Sequence, residues 1–205
     1  RLRVLKGLRN EVRIGDGELL LTVKDPTDPA LRRKTLDGWL AARCREQVTS
    51  LCQQIYPYFE ARGVKMPTLR FRFMKTRWGS CNAAKGILTF NNHLAEKPVA
   101  CIEYVVAHEF THFLHADHSK RFYGELEKIM PDSIDIHEHD VWEFMFFIKI
   151  SGVYFMEGKA YRLHENDVLI IRKNENIVGI NLSDCVQHIF RVRFSLGCRC
   201  CYVLY

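Results

Sequence analysis

A chain of 205 residues, 47% of them hydrophobic, is long enough to bury a core as one large domain or two small ones. It holds no apolar run of about 18 residues, so no membrane span is expected, and the basic stretch Arg1–Lys6 lacks the apolar core and cleavage site of a secretory signal. The formal net charge of +6 is uneven: residues 1–131 carry 22 Lys and Arg against 14 Asp and Glu, residues 132–205 carry 8 against 10. That shift predicts a domain boundary near residue 132 and permits a nucleic-acid-facing surface on the first part, although no arginine-aromatic module stands there.

Taken in order, Val12-Arg13-Ile14, the turn Gly15-Asp16-Gly17 and Glu18–Val23 predict a hairpin, broken by Asp25-Pro26-Thr27-Asp28-Pro29. From Ala30 to about Arg62 the pattern is helical, with Leu31, Leu36, Trp39, Leu40, Val48, Leu51, Ile55 and Phe59 recurring at threes and fours. Arg32-Arg33-Lys34 and residues 43–46 then form its solvated face, and Gly63 ends it. Leu69–Met74 alternates as a half-buried strand does, and Gly86–Asn91 is a second strand beyond Arg77-Trp78-Gly79-Ser80-Cys81. Pro98 suits the first turn of a buried helix, and a further helix is expected over Lys120–Ile129.

The apolar run Cys101–Ala107 leads into His108-Glu109-Phe110-Thr111-His112. Residues four apart share a helix face, so His108 and His112 can grip one metal ion, with Glu109 beside them as a proton acceptor for an activated water. A buried helix carrying two imidazoles and a carboxylate has to satisfy them, and a metal does so directly. His118 lies six residues past His112, about 9 Å of axial rise were the helix to continue. It can serve as third ligand only if the helix breaks, and the break is expected between Leu114 and Asp117. Glu125 and Glu127 compete for that position. Three protein ligands and an open position match a catalytic zinc site rather than a closed structural one.

The eight cysteines, Cys44, Cys52, Cys81, Cys101, Cys185, Cys198, Cys200 and Cys201, show no paired-ligand spacing. Cys44, Cys52 and Cys101 stand where a free thiol behaves as a small hydrophobe, and Cys198-Arg199-Cys200-Cys201 is read as a tail feature. A reducing, cytoplasmic compartment is the simplest inference.

The ordered set Arg77–Cys81, Asn91 and Leu94, Tyr104–Glu109, His112, His118-Ser119 and Phe122 resembles the YgjP-type metallopeptidase family, related to the SprT-like and WLM zinc proteases. The likeness covers about residues 10–132. It implies a zinc-dependent peptidase with a minigluzincin-like α+β core over residues 1–132, Zn2+ on His108, His112 and His118, and Glu109 as general base. It assigns no role to Trp78-Gly79-Ser80-Cys81, for which a structural turn lining the cleft is expected. His115 stands where the metzincin pattern needs glycine, which argues against a metzincin turn; it is read as an outlying imidazole rather than a ligand.

After Asp132 the pattern changes to short strands separated by turns: Val141–Ile148, Val153–Met156, Ala160–Leu163 and Val168–Ile171. Such strands predict a small all-β sandwich or barrel over residues 133–205. His137, His139 and Glu143 with this order of turns resemble the first half of a cupin, in particular the sensor domain of AraC-type regulators. The match is partial, because no histidine stands near Asn174-Glu175-Asn176 and no helix-turn-helix follows.

Three functions follow. The first is peptide-bond hydrolysis on a peptide or protein substrate. The second is a ligand-sensing cupin-type module with a merely structural zinc helix; a carboxylate between the ligands argues against it. The third is a DNA-associated SprT-like protease, which peptidase activity rising on added DNA would single out. The oxyanion donor is open among Arg77, His115 and Tyr123.

Overall fold

The structure, a computed structural model, describes residues 1–15, 17–130, 135–138, 142–149, 153–156, 159–164, 167–171, 176–180 and 186–192. Cα packing divides the chain into two compact units, Arg1–Glu109 and Phe110–Tyr205.

The first unit opens with the expected hairpin, β2 (Glu11–Gly15) antiparallel to β3 (Glu18–Val23), with Val12 opposite Leu21. A strand the sequence did not announce, β1 (Leu2–Lys6), lies parallel to β3 on its other side and places Val4 opposite Leu21 as well. Its leucines follow no period of two, so only the non-local pairing with β3 defines it as a strand. On the shared face Leu21 and Val23 are fully buried.

Helix α1 (Pro29–Glu60) begins where the Asp28 carboxylate accepts from the backbone N–H of Ala30 and Leu31, at 2.8 and 3.1 Å. Pro29 fills a first-turn position that needs no donor. Leu40, Cys44, Val48 and Cys52 recur every fourth residue and, with Phe59, are buried. Cys44 therefore corrects the expected solvated run 43–46: only Arg45 and Glu46 of it are exposed. The helix rests on β2, β3 and β4 (Thr68–Arg72). It unwinds through Gly63, which takes φ 80° and donates to the Glu60 carbonyl at 2.9 Å.

β4 runs parallel to β6 (Ile87–Asn91), with Phe71 opposite Phe90. The expected turn at Gly79–Cys81 is instead an edge strand, β5 (Gly79–Asn82), antiparallel to β6. Its sequence lacks apolar alternation, so the partner strand rather than local propensity holds it extended. The β5–β6 connection is tight because Asn82 Oδ1 accepts from Lys85 N–H at 3.1 Å and Gly86 takes φ 61°.

Helix α2 (Val99–Thr111) follows Pro98, whose carbonyl accepts from Cys101 and Ile102. Every residue from Tyr104 to Thr111 is buried, as befits a helix apolar on nearly all sides. The first unit ends within this helix, at Glu109.

In the second unit α3 (Lys120–Ile129) matches its expected span and buries Phe122, Tyr123, Glu125 and Leu126. The remaining described strands are β7 (Asp135–Glu138), β8 (Trp142–Lys149), β9 (Val153–Met156), β10 (Lys159–Arg162), β11 (Val168–Ile171), β12 (Asn176–Ile180) and β13 (Val186–Val192). They pair antiparallel into two sheets, ordered β10-β9-β12-β7 and β11-β8-β13. β11 buries Leu169 and Ile171 and exposes Val168 and Ile170, the alternation a strand imposes on a sequence that is apolar throughout. His137 lies on β7 and Glu143 on β8. His139, residues 172–175 and the expected boundary at residue 132 lie outside the described residues.

Candidate metal centre

His108 and Glu109 sit in the buried last turn of α2, 5% and 7% exposed. Tyr104, one turn earlier on the same face, brings its hydroxyl within 3.4 Å of His108 Nδ1. The α-helix ends at Thr111, earlier than the break expected after Leu114. Phe113 and Leu114 donate to carbonyls three residues back, so the backbone tightens before His112 is passed.

That tight turn orients His112. Its Nδ1 lies 3.3 Å from the His115 carbonyl oxygen, which can only accept, so the Nδ1 proton is fixed there and the Nε2 lone pair is available to a ligand. Burial, and then the charge of His118, hold the His112 pKa below the ordinary histidine value. It is therefore neutral at pH 7, the form that binds metals. The chain then turns back, and the His118 ring stands 4.9 Å from that of His112 and 4.8 Å from that of Phe122. His118 directly precedes Ser119, the N-cap residue of α3.

One nitrogen from each of His108, His112 and His118 lies within 4.8 Å of the others, and this is the one such cluster among the described residues. Three imidazole nitrogens are a donor set that fits zinc. The competing carboxylates are placed otherwise: Glu125 pairs with Lys128 Nζ at 3.0 Å, and Glu127 is exposed. His115 contributes its carbonyl rather than its ring and is not in the cluster.

Burial pushes the Glu109 carboxyl up to about 8, against the opposing pull of the Arg77 guanidinium. The Cys81 thiol is pushed up to about 12, first by burial and then by the charge of Glu109. Arg77 and Cys81 flank Trp78-Gly79-Ser80, so this segment, to which no role was assigned, runs beside the carboxylate. It is held there by Asn91, a residue only 3% exposed. Asn91 Nδ2 donates to the carbonyls of Met74 and Arg77 at 2.9 and 2.8 Å, while Oδ1 accepts from the backbone N–H of Met74 and His93, each at 3.2 Å. Its own backbone N–H donates to the Trp78 carbonyl at 2.9 Å.

Histidines gathered at the end of a buried helix, with a desolvated carboxylate between two of them, are the features of a metallopeptidase-like domain on a mixed α+β fold. Comparison with known families agrees. Residues 1–139 match the family described as YgjP-like, metallopeptidase domain, and the chain belongs to that family. Among solved structures it is similar to the crystal structure of the metallopeptidase zymogen of Pyrococcus abyssi abylysin, at 23% identity and a TM-score of 0.36, over 41% of this chain and 80% of that one. No curated protein matches the chain. No match to a cupin-like sensor supports the resemblance seen in residues 133–205.

In the sequence Tyr104 and Asn91 stand only as marks of resemblance. The spacing of four from His108 was the available signal for Tyr104. For the fastening by Asn91 there is none, because Arg77 and Met74 lie 14 and 17 residues away.

Proposed function

We propose that the chain is a zinc-dependent peptidase that hydrolyses peptide bonds, with His108, His112 and His118 holding the ion and Glu109 acting as general base. The observation that carries this reading is the three imidazoles within 4.8 Å of one another beside a buried carboxyl. Zinc held there would supply Lewis-acid polarisation of the water and the scissile carbonyl, and a positive charge that favours ionised Glu109. Glu109 takes the proton of the attacking water on a carboxylate oxygen and delivers it to the departing amine nitrogen. His112 keeps its own proton on Nδ1 toward the His115 carbonyl and takes no part in that transfer. Arg77 favours the ionised carboxylate. The minigluzincin-like core remains part of this reading, supported by the α+β architecture and the family.

The substrate class is a peptide or protein. The compartment is read as reducing and cytoplasmic, supported by the free thiols of Cys44, Cys52, Cys81 and Cys101; no helix among the described residues is long and apolar enough to cross a membrane. Residues 133–205 are read as a cupin-like β domain, supported by the antiparallel pairing of β7 through β13.

The test is zinc content together with hydrolysis of fluorescent casein by the wild type and by Glu109→Gln, with and without added DNA. Stoichiometric zinc in both proteins and hydrolysis in the wild type alone are expected. Equal hydrolysis by both removes Glu109 from the chemistry, and a rate that rises with DNA moves the reading to a DNA-associated protease.

A further inference from the structure

Gly79 opens β5, half-buried, in the segment beside Glu109. Its φ is not positive, so no backbone conformation demands a glycine there. What demands it is space. A Cβ built on Gly79 would lie 2.5 Å from Glu109 Oε1, 2.6 Å from Cγ and 2.8 Å from Cδ. All three are below any real carbon contact, and all three belong to one side chain. The α-hydrogen face of Gly79 is thus the surface on which the Glu109 carboxylate lies.

Glu109 has little room to yield, being 7% exposed. Gly79 cannot recede either, because β5 is paired to β6, with Gly79 opposite Phe90, and Asn91 fastens the approach through Met74, Arg77 and Trp78. Among the glycines of residues 1–130, Gly79 alone would bring a Cβ that close to a titratable side chain.

We infer that Gly79 is a positioning residue for the general base: its missing side chain leaves the slot in which the Glu109 carboxylate is held. The inference rests on the proposal that Glu109 is the base, but the contact itself does not. Any side chain at position 79 drives the carboxylate out of the slot, because the three nearest atoms it would meet all belong to Glu109.

The experiment combines Gly79→Ala with substitutions of Glu109, reading zinc content, casein hydrolysis and the thermal midpoint of the metal-free protein. Gly79→Ala should keep one zinc per chain, lower kcat at least tenfold and leave KM within twofold. In a Glu109→Gln background it should lower the residual kcat no further, since the base is already lost. In a Glu109→Ala background, where the three colliding atoms are gone, Gly79→Ala should leave the midpoint unchanged, whereas opposite intact Glu109 it should lower it by about 3 °C. Undiminished kcat in Gly79→Ala overturns the inference. So does an equal midpoint loss in both backgrounds, which marks a glycine needed by the strand rather than by the carboxylate. Should Glu109→Gln hydrolyse casein at the wild-type rate, the base assignment fails, and the midpoint comparison still decides whether Gly79 holds the carboxylate.

Discussion

Glu109 is costly to the metal-free fold, and the sign can be worked out. Its folded pKa of about 8 exceeds its ordinary value of 4.5. Stability from the protonated form is therefore complete below 4.5 and is lost as pH rises through 8. By pH 7 about 3 kcal/mol of that stability has been lost. Glu109→Gln, which cannot ionise, should raise the midpoint of the metal-free protein at pH 7 and flatten its fall toward pH 8, while reducing hydrolysis by about 10²–10⁴-fold. Thermal melts from pH 5 to pH 8 beside a casein assay check both halves, and a melt profile as steep as the wild type's counts against a desolvated carboxyl. The third-ligand position is open to an equally direct comparison. His118→Ala should weaken zinc binding, and Glu125→Ala and Glu127→Ala should not, because the Glu125 carboxylate is engaged by Lys128. Isothermal titration on the three variants decides, and the assignment fails if a glutamate variant loses affinity and His118→Ala does not.

At the scale of elements, the site depends on parts that contribute no ligand. The segment from Met74 to Trp78 has little regular structure of its own and is fastened to β6 by one asparagine. Asn91→Ala deletes four side-chain hydrogen bonds and leaves backbone groups of Met74, Arg77 and His93 without those partners. It should cost about 2 kcal/mol or more in chemical denaturation. It should also raise amide exchange at Met74 before that of the β6 core; protection at Met74 equal to the wild type's would show that Asn91 is not the fastening. At the other end of the first unit, Asp28→Ala removes the N-cap of α1 and should cost about 1 kcal/mol, without altering zinc content.

Across the whole molecule, pH reports on the core through its thiols. Burial pushes Cys44 and Cys101 up to about 11 and Cys52 to about 12, from an ordinary value of 9.0. A raised folded pKa gives stability that is present below 9.0 and lost as pH rises through 11 and 12. The fold should therefore weaken on the alkaline side above about pH 9. At pH 8 these three thiols should resist a thiol reagent in the native protein and react within seconds in denaturant. Fast native labelling of any of them, located by mass spectrometry, would contradict the burial. The proposed zinc would act on the whole molecule as well: a ligand held only by the folded state, at a thousand times its dissociation constant, adds about 4 kcal/mol. Chelation should lower the midpoint and zinc should restore it.

The sequence alone determined what local periodicity and spacing can carry. The period of α1, the hairpin of β2 and β3, the span of α3, the strand of β11 and the pairing of His108 with His112 on one helix face were legible because each depends on neighbours within a few residues. The tertiary structure decided what depends on residues far apart in the chain. The parallel pairing of β1 with β3, the hydrogen bonds of Asn91 to Met74 and Arg77 and the seat of Glu109 on Gly79 join residues 14 to 30 positions apart, and the extended form of β5 rests on pairing with β6, 5 to 11 positions on, with no periodic trace in β5 itself. Glycine at position 79 reads in the sequence as a turn signal, the usual meaning of its freedom. Only the approach of a carboxylate 30 residues downstream makes it a requirement of space.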